Sequence, residues 1–370
     1  RVRRQRQMCI RDSLCVTGMA STSSRSAYYE STQAHKQLNE TAKNKAESEG
    51  VKFYRTESAS HSTRNDGARF DYDSISTFSS VASAAMQDYY NQLGMQTSFN
   101  AYSYYGHTPL TAAMFSVKYE FTDNTPSLPT NMTEIGSQTY STGNNAASTV
   151  HLYEYNNTLP LGFMVNMSTE ANWNKETGNP FTTQNSFVKT AIDSDANIFH
   201  QLQTTDTVGT FTAKYQLEED DNYKPSGDAA TYDVYFYCVT SSETLTVNIT
   251  NGSITDDNST TKTFSSTNQN YICHVGNVSA GSTITVTASD GQALTTCYAY
   301  AFDNDAWETA YKLLNKNPYT VESYSDTKIT GKVTAKKQGI MYTSIPYDKG
   351  WNVYVLSLIH ISEPTRRVVI

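Results

Sequence analysis

The sequence predicts an α+β protein, a mixed α/β segment followed by an antiparallel β-sandwich of jelly-roll type. Three observations carry that expectation. From residue 209 onward, short Tyr-, Val- and Thr-rich stretches alternate with turn signals such as Asn251-Gly252 and Asp290-Gly291, the pattern of strands joined by tight turns. Before residue 205, helical and strand-like stretches mix without an internal repeat. And 27 Tyr, 14 Phe and 3 Trp can bury much area per residue although only 38% of the chain is hydrophobic.

The elements follow in order. Residues 14–26 read as an extended leader, and the polar text from Ala27 to Gly50 reads as a helix stopped by Gly50; residues 14–50 thus read as a linker and polar helix ahead of the body. Residues 51–204 form the mixed segment. Val51–Thr56 reads as a strand, Asn65-Asp66-Gly67 as a turn, and Ser79–Leu93 as a helix with Val81, Ala85, Tyr89 and Leu93 at helical spacing and Gly94 at its end. Thr108 is placed to cap a helix whose first residue is Pro109. A strand at Val117–Thr122, a polar loop to about Ala147 and a second strand, TVHLYEYNN, complete the segment. Residues 205–355 carry the sandwich strands TFTAKYQLE, TYDVYFYCV, TLTVNIT, STITVTA, LTTCYAYAF, KITGKVTAK and GIMYTSIP. One helix interrupts them, capped by Asp303 or Asn304, with Trp307, Ala310, Tyr311 and Leu314 as its apolar face. GWNVYV closes the segment as a Tyr/Val strand, with Trp351 beside Gly350 expected to plug the sandwich core.

The two ends differ in composition from the rest. Leu356–Ile361 can be encoded CTG TCT CTT ATA CAC AT, and the reverse complement of that string encodes Met8–Ser13, MCIRDS. Unrelated protein segments have no reason to be reverse complements, whereas a DNA element ligated to both ends of a fragment does. Residues 1–13 and 356–370 therefore read as translated sequencing adapter, to be set aside as a tag would be. Seven of the 28 basic residues and two of the 36 acidic ones lie there, so the remainder holds 21 against 34, a net charge near −13. Such a surface repels nucleic acid and anionic lipid. It suits an uncharged or sugar-like partner.

Catalytic signatures are absent from the sequence. There is no CxxC, no Cys/His metal spacing, no HExxH, GxSxG or P-loop. Cys238, Cys273 and Cys297 allow one disulfide or three buried thiols. The run Glu218-Glu219-Asp220-Asp221 is a solvated loop or, at the other extreme, a calcium ligand set. No metal and no catalytic residue is assigned. Amides in loop-like text, Asn156, Asn157, Gln184 and Asn185, can hydrogen-bond sugar hydroxyls or satisfy loop carbonyls. Tyr102, Tyr104 and Tyr105 can stack on sugar rings or form an aromatic core. Gly106, Pro109, Pro160 and Gly162 are expected to shape loops, and Gly350 with Trp351 the final turn and strand.

Five stretches then carry a resemblance: FSSVASAAMQDYYNQLGM, YSYYGHTPLTAAMFSVKY, LYEYNNTLPLGFMV, NPFTTQNSFVKTA and SIPYDKGWNVYV. In that order, over most of residues 51–355, they resemble the YfhO family of bacterial membrane proteins. The resemblance implies a polytopic protein similar to GT-C-type glycosyltransferases, taking a sugar from a polyprenyl-phosphate donor and decorating a cell-wall glycopolymer such as a teichoic acid. This chain would then be the extracytoplasmic region, resting on its own transmembrane domain, without the loop that carries the catalytic acid and with no cofactor of its own. The rival expectation is a non-enzymatic carbohydrate-binding or adhesive surface module.

Overall fold

The structure, a computed structural model, describes residues 29–123, 131–141, 146–207, 210–217, 223, 231–279 and 281–355. The adapter-like ends, the leader at 14–26 and the acidic run at 218–221 lie outside the described residues. The first half of the chain carries α1 (Thr32–Ser48), β1 (Arg55–Ser58), α2 (Asp66–Phe70), β2 (Thr77–Phe78), α3 (Ala84–Gln92), β3 (Thr97–Ser98), β4 (Ala101–Tyr102), α4 (Pro109–Met114), β5 (Val117–Asp123), β6 (Met132–Ser141), β7 (Ala147–Tyr155), β8 (Gly162–Val165), α5 (Thr169–Asn172) and α6 (Pro180–Ile192). The second carries β9 (Phe199–Thr207), β10 (Thr210–Leu217), β11 (Thr231–Thr240), β12 (Thr244–Thr250), β13 (Thr261–Ser265), β14 (Cys273–Ser279), β15 (Thr283–Ala288), β16 (Leu294–Phe302), α7 (Asn304–Leu314), β17 (Pro318–Ser325), β18 (Lys328–Val333) and β19 (Ile340–Thr343). The α+β class expected from the sequence is the class observed.

The first body is a four-stranded sheet, β1-β5-β7-β6, under one long helix. Helix α1 is polar but buries Ala34, Leu38, Ala42 and Ala46, one residue per turn, against Tyr119, Phe121, Val150 and Leu152 of the sheet. Its end is set by Gly50, whose φ of +71° only glycine adopts at little cost. In α4 the Thr108 hydroxyl accepts from Thr111 N while the Thr111 hydroxyl accepts from Thr108 N, a reciprocal cap with Pro109 in the first turn.

The second body is an eight-stranded antiparallel sheet, β13-β12-β15-β10-β9-β16-β11-β14, curled until its two edges meet. Ile254 bridges Val278, and Lys262 Nζ on edge strand β13 donates to Val275 O on edge strand β14 at 3.0 Å. The result is a near-barrel. Strand β11 shows why the sequence folds this way: Tyr232, Val234, Phe236 and Cys238 face the barrel core, while Tyr235 and Tyr237 face α6 and α7. Each such aliphatic or Phe side chain contributes about 1.5–3 kcal/mol by leaving water. Strand β9 runs across residue 205 and joins this sheet between β10 and β16.

Several expectations need correction. The Asn65–Gly67 turn opens a short helix, α2. The polar loop before Ala147 contains ten-residue β6, a strand because β7 offers a full antiparallel edge along it. Val81 and Ala85 are exposed, and α3 instead buries Met86, Tyr89 and Tyr90. The strands at KITGKVTAK and GIMYTSIP do not enter the sandwich; β18, β17 and β19 form a separate sheet with β8. GWNVYV is not a strand, and Trp351 is 39% exposed and plugs no core. No described strand pairs with it, and the Asp348 carboxylate accepts from Gly350 N at 2.7 Å to turn the chain there. Cys238, Cys273 and Cys297 are buried free thiols.

Candidate functional site

The segment between β4 and α4, Ser103 to His107, lies at the seam between the two bodies. Gly106 has φ +85°, and a Cβ there would lie 2.4 Å from Gly94 O and 2.9 Å from Tyr271 Cβ. The backbone of the first body thus reaches the Tyr271–Ile272 segment of the second at a distance only glycine permits. This contact turns Tyr104 inward, where it is fully buried.

Period two on β5 sends Tyr119 and Phe121 toward α1 and Glu120 to the opposite face. There the Glu120 carboxyl accepts from the hydroxyls of Tyr104 and Tyr155, each at 2.8 Å. His107 stacks on Tyr104 at 3.8 Å and brings Nε2 to 3.5 Å from Glu120. Burial pushes Glu120 up to about 7 and His107 down to about 3, the latter helped by His274 and His61 nearby. His107 is therefore neutral near pH 7. With Nδ1 donating to Tyr104 O at 3.2 Å, its Nε2 is an acceptor, matched to the protonated form of Glu120, which burial keeps well populated up to about pH 7.

Two further imidazoles approach the same seam, each with its own carboxylate. His274 lies 2.6 Å from Asp233 and stacks on Tyr235 at 4.4 Å. His61 lies 3.1 Å from Glu57, which also accepts from Ser74 Oγ, Ile75 N, Ser76 N and Ser76 Oγ. Among the described residues no three His, Cys, Asp or Glu side chains are arranged to hold a metal ion. The seam pins loops together; Glu120 and Glu57 are sealed from solvent.

The residues singled out from sequence do not converge on one cleft. Gln184 donates to Leu93 O and accepts from Thr108, fully buried; Asn185 binds the backbone of Ile198 and Phe199 and so fastens β9 to α6. Tyr102 packs on Tyr90 at 4.7 Å, and the Tyr105 hydroxyl accepts from His61 N. Asn156 and Asn157 follow β7, with Asn156 exposed and bonded to Asn131 O and Thr133. Gly162 sits in β8 between Tyr319 and Thr343, after half-buried Pro160.

A cleft of about 550 Å³ opens elsewhere, between α1, α2, the Asp71–Asp73 loop and β17. Tyr54, Tyr72 and Tyr324 line it, each braced by another ring: Tyr119 at 5.1 Å, Phe121 at 5.5 Å and Phe53 at 5.3 Å, respectively. Asn39, Lys43, Glu47, Lys52, Asp71 and Asp73 supply its polar lining. Sequence reasoning missed it, because its residues come from positions 39 to 73 and 324. The only signal was a local one, the Tyr-Asp alternation in FDYD around Tyr72.

Fold and seam define a β-rich α+β body, and none of its described helices is long and apolar enough to cross a membrane. The chain matches the family described as bacterial membrane protein YfhO over residues 10–356, nearly its whole length, and belongs to that family. No curated protein and no solved structure matches it.

Proposed function

We propose that this chain is the extracytoplasmic part of a GT-C-like membrane glycosyltransferase, one that helps move a sugar from a polyprenyl-phosphate donor to a cell-wall glycopolymer of teichoic-acid type. Membership of a bacterial membrane-protein family is the observation that carries the reading. The tyrosine-rich body supports it, since aromatic faces stack on the sugar units such a polymer carries. In this reading the parent protein's own transmembrane domain holds the catalytic acid and the donor lipid, and the present body faces the acceptor.

The test is transfer by the full-length membrane protein, reconstituted with radiolabelled polyprenyl-phosphate sugars and purified teichoic acid. Label should enter the polymer, and the 370-residue chain alone should transfer none. Transfer by that chain alone would overturn the assignment. Polymer binding with no transfer by the full-length protein would favour the non-enzymatic carbohydrate-binding module.

A further inference from the structure

We infer that the cleft bounded by Tyr54, Tyr72 and Tyr324 is a binding site for a neutral, hydroxyl-rich ring ligand, a saccharide unit. Its volume, about 550 Å³, falls within the range of roughly 300–1,000 Å³ typical of small-molecule sites. Three phenol rings line it, and each packs edge-on or tilted against a second aromatic ring, which limits its movement before any ligand arrives. A saccharide presents C–H faces to such rings and hydroxyls to the rim.

The rim chemistry selects the ligand class. Carboxylates of Glu47, Asp71 and Asp73 outnumber the ammonium groups of Lys43 and Lys52. Lys43 is already engaged by Glu40 at 3.1 Å and Asp71 at 3.2 Å. A phosphate-rich ligand would meet net repulsion there, whereas sugar hydroxyls donate to carboxylates in charge-assisted bonds. The cleft also joins two parts of the chain far apart in sequence, because Tyr324 comes from β17 and the rest from residues 39–73. The saccharide assignment stands apart from the transfer reaction; where it rests on the proposed function, the cleft holds a neutral sugar unit of the glycopolymer and not its phosphate backbone.

The experiment titrates the 370-residue chain with cellotetraose and chitotetraose, and separately with ATP, by calorimetry. One of the tetrasaccharides should bind saturably. Tyr324→Ala and Tyr54→Ala should each weaken it about tenfold, the scale of one lost aromatic contact. Asp73→Asn should weaken it several-fold, while Phe99→Ala, an exposed ring outside the cleft, should leave it unchanged. If Tyr54→Ala fails to fold, Tyr324→Ala and Asp73→Asn, both at exposed positions, decide. Binding of neither tetrasaccharide, binding of ATP alone, or binding indifferent to these substitutions would each overturn the inference. No transfer by the full-length protein, with saccharide binding by the 370-residue chain intact, would strike the proposed function and leave the cleft standing.

Discussion

The two bodies are held together by different chemistry. The near-barrel core is Leu202, Phe211, Val234, Phe236, Val247, Val286 and their neighbours, almost wholly apolar. The first body buries Glu57, Asp66, Gln96, Thr108, Thr111, Glu120, Gln184 and Asn185, nearly all of them in named hydrogen bonds. Apolar cores tolerate change in proportion to volume, whereas a buried polar pin fails all at once when one partner leaves. The barrel also holds a buried carboxylate, Asp233 beside His274, so the contrast is one of degree: the first body, whose Glu120 is raised by burial to about 7 and which carries the cleft, is the part that leans more on ionisation.

The largest effects test this contrast directly. Glu57→Ala removes the acceptor for two backbone amides, two serine hydroxyls and His61, and should cost about 3–5 kcal/mol in urea unfolding of the 370-residue chain. Phe236→Ala, in the barrel, should cost a similar 3–5 kcal/mol or so through its cavity. The two should part on conservative replacement: Phe236→Leu should recover much of its deficit, whereas Glu57→Gln, which keeps one acceptor oxygen against several donors, should recover little. Equal recovery would break the contrast. Next in size, Gly106→Ala places a Cβ 2.4 Å from Gly94 O at φ +85° and should cost about 1–3 kcal/mol from backbone strain, with more from the clash. Its unfolding should show the two bodies separating, seen as faster exchange of the Ile272 amide, which donates to Gly94 O across the seam at 2.8 Å.

A finer test uses the opposed titrations of Glu120 and His107. Glu120 is raised from 4.5 to about 7, so the folded state holds its proton more tightly, and its contribution falls as pH rises between those values. His107 is lowered from 6.5 to about 3, so the unfolded state binds that proton first, and its contribution grows as pH rises over that window. The two slopes oppose each other between about 4.5 and 6.5 and leave a plateau. Glu120→Gln should expose a rise from pH 3 to 6.5, and His107→Phe a fall from 4.5 to 7, neither steeper than about 1.4 kcal/mol per pH unit. Identical pH profiles for both variants would show that the pair does not titrate as described. Tyr104, Tyr155, Tyr235, His61, His274 and Glu57 surround the pair and stay in both variants.

The sequence made the barrel more legible than the seam, for physical reasons. TLTVNIT alternates strictly because one face meets the core and the other does not, while TYDVYFYCV reads as a nearly continuous apolar and aromatic run because its second face meets α6 and α7. Strand β14, CHVGNVS, hides behind Gly276 and Asn277, and β6, MTEIGSQTYS, behind its polar residues; both are strands because a neighbouring edge demands one, which no local propensity records. The seam is less legible still. Glu120 meets Tyr104 and Tyr155, 16 and 35 residues away, and nothing in the spacing announces the meeting. Motif recognition reached Tyr104 and His107 as residues of the YSYYGH stretch but not the carboxylate that orders them. The cleft stayed hidden for the same reason, since Tyr324 reaches it only through β17.

The smallest expected effect concerns the stretch that looked most strand-like. GWNVYV has the composition of a strand and Trp351 the look of a core plug, yet no described strand pairs with the segment and the indole stays 39% exposed. Aromatic and β-branched residues favour strands only where a neighbour accepts the backbone bonds and a core accepts the faces. Trp351→Ala should therefore change stability by less than about 0.5 kcal/mol, as surface substitutions do. Leu314→Ala, in α7 with a side chain fully buried against the α6 layer, should cost about 2–5 kcal/mol in the same assay. A Trp351→Ala loss on that scale would place the indole against an apolar surface in solution and give GWNVYV the strand role its composition suggests.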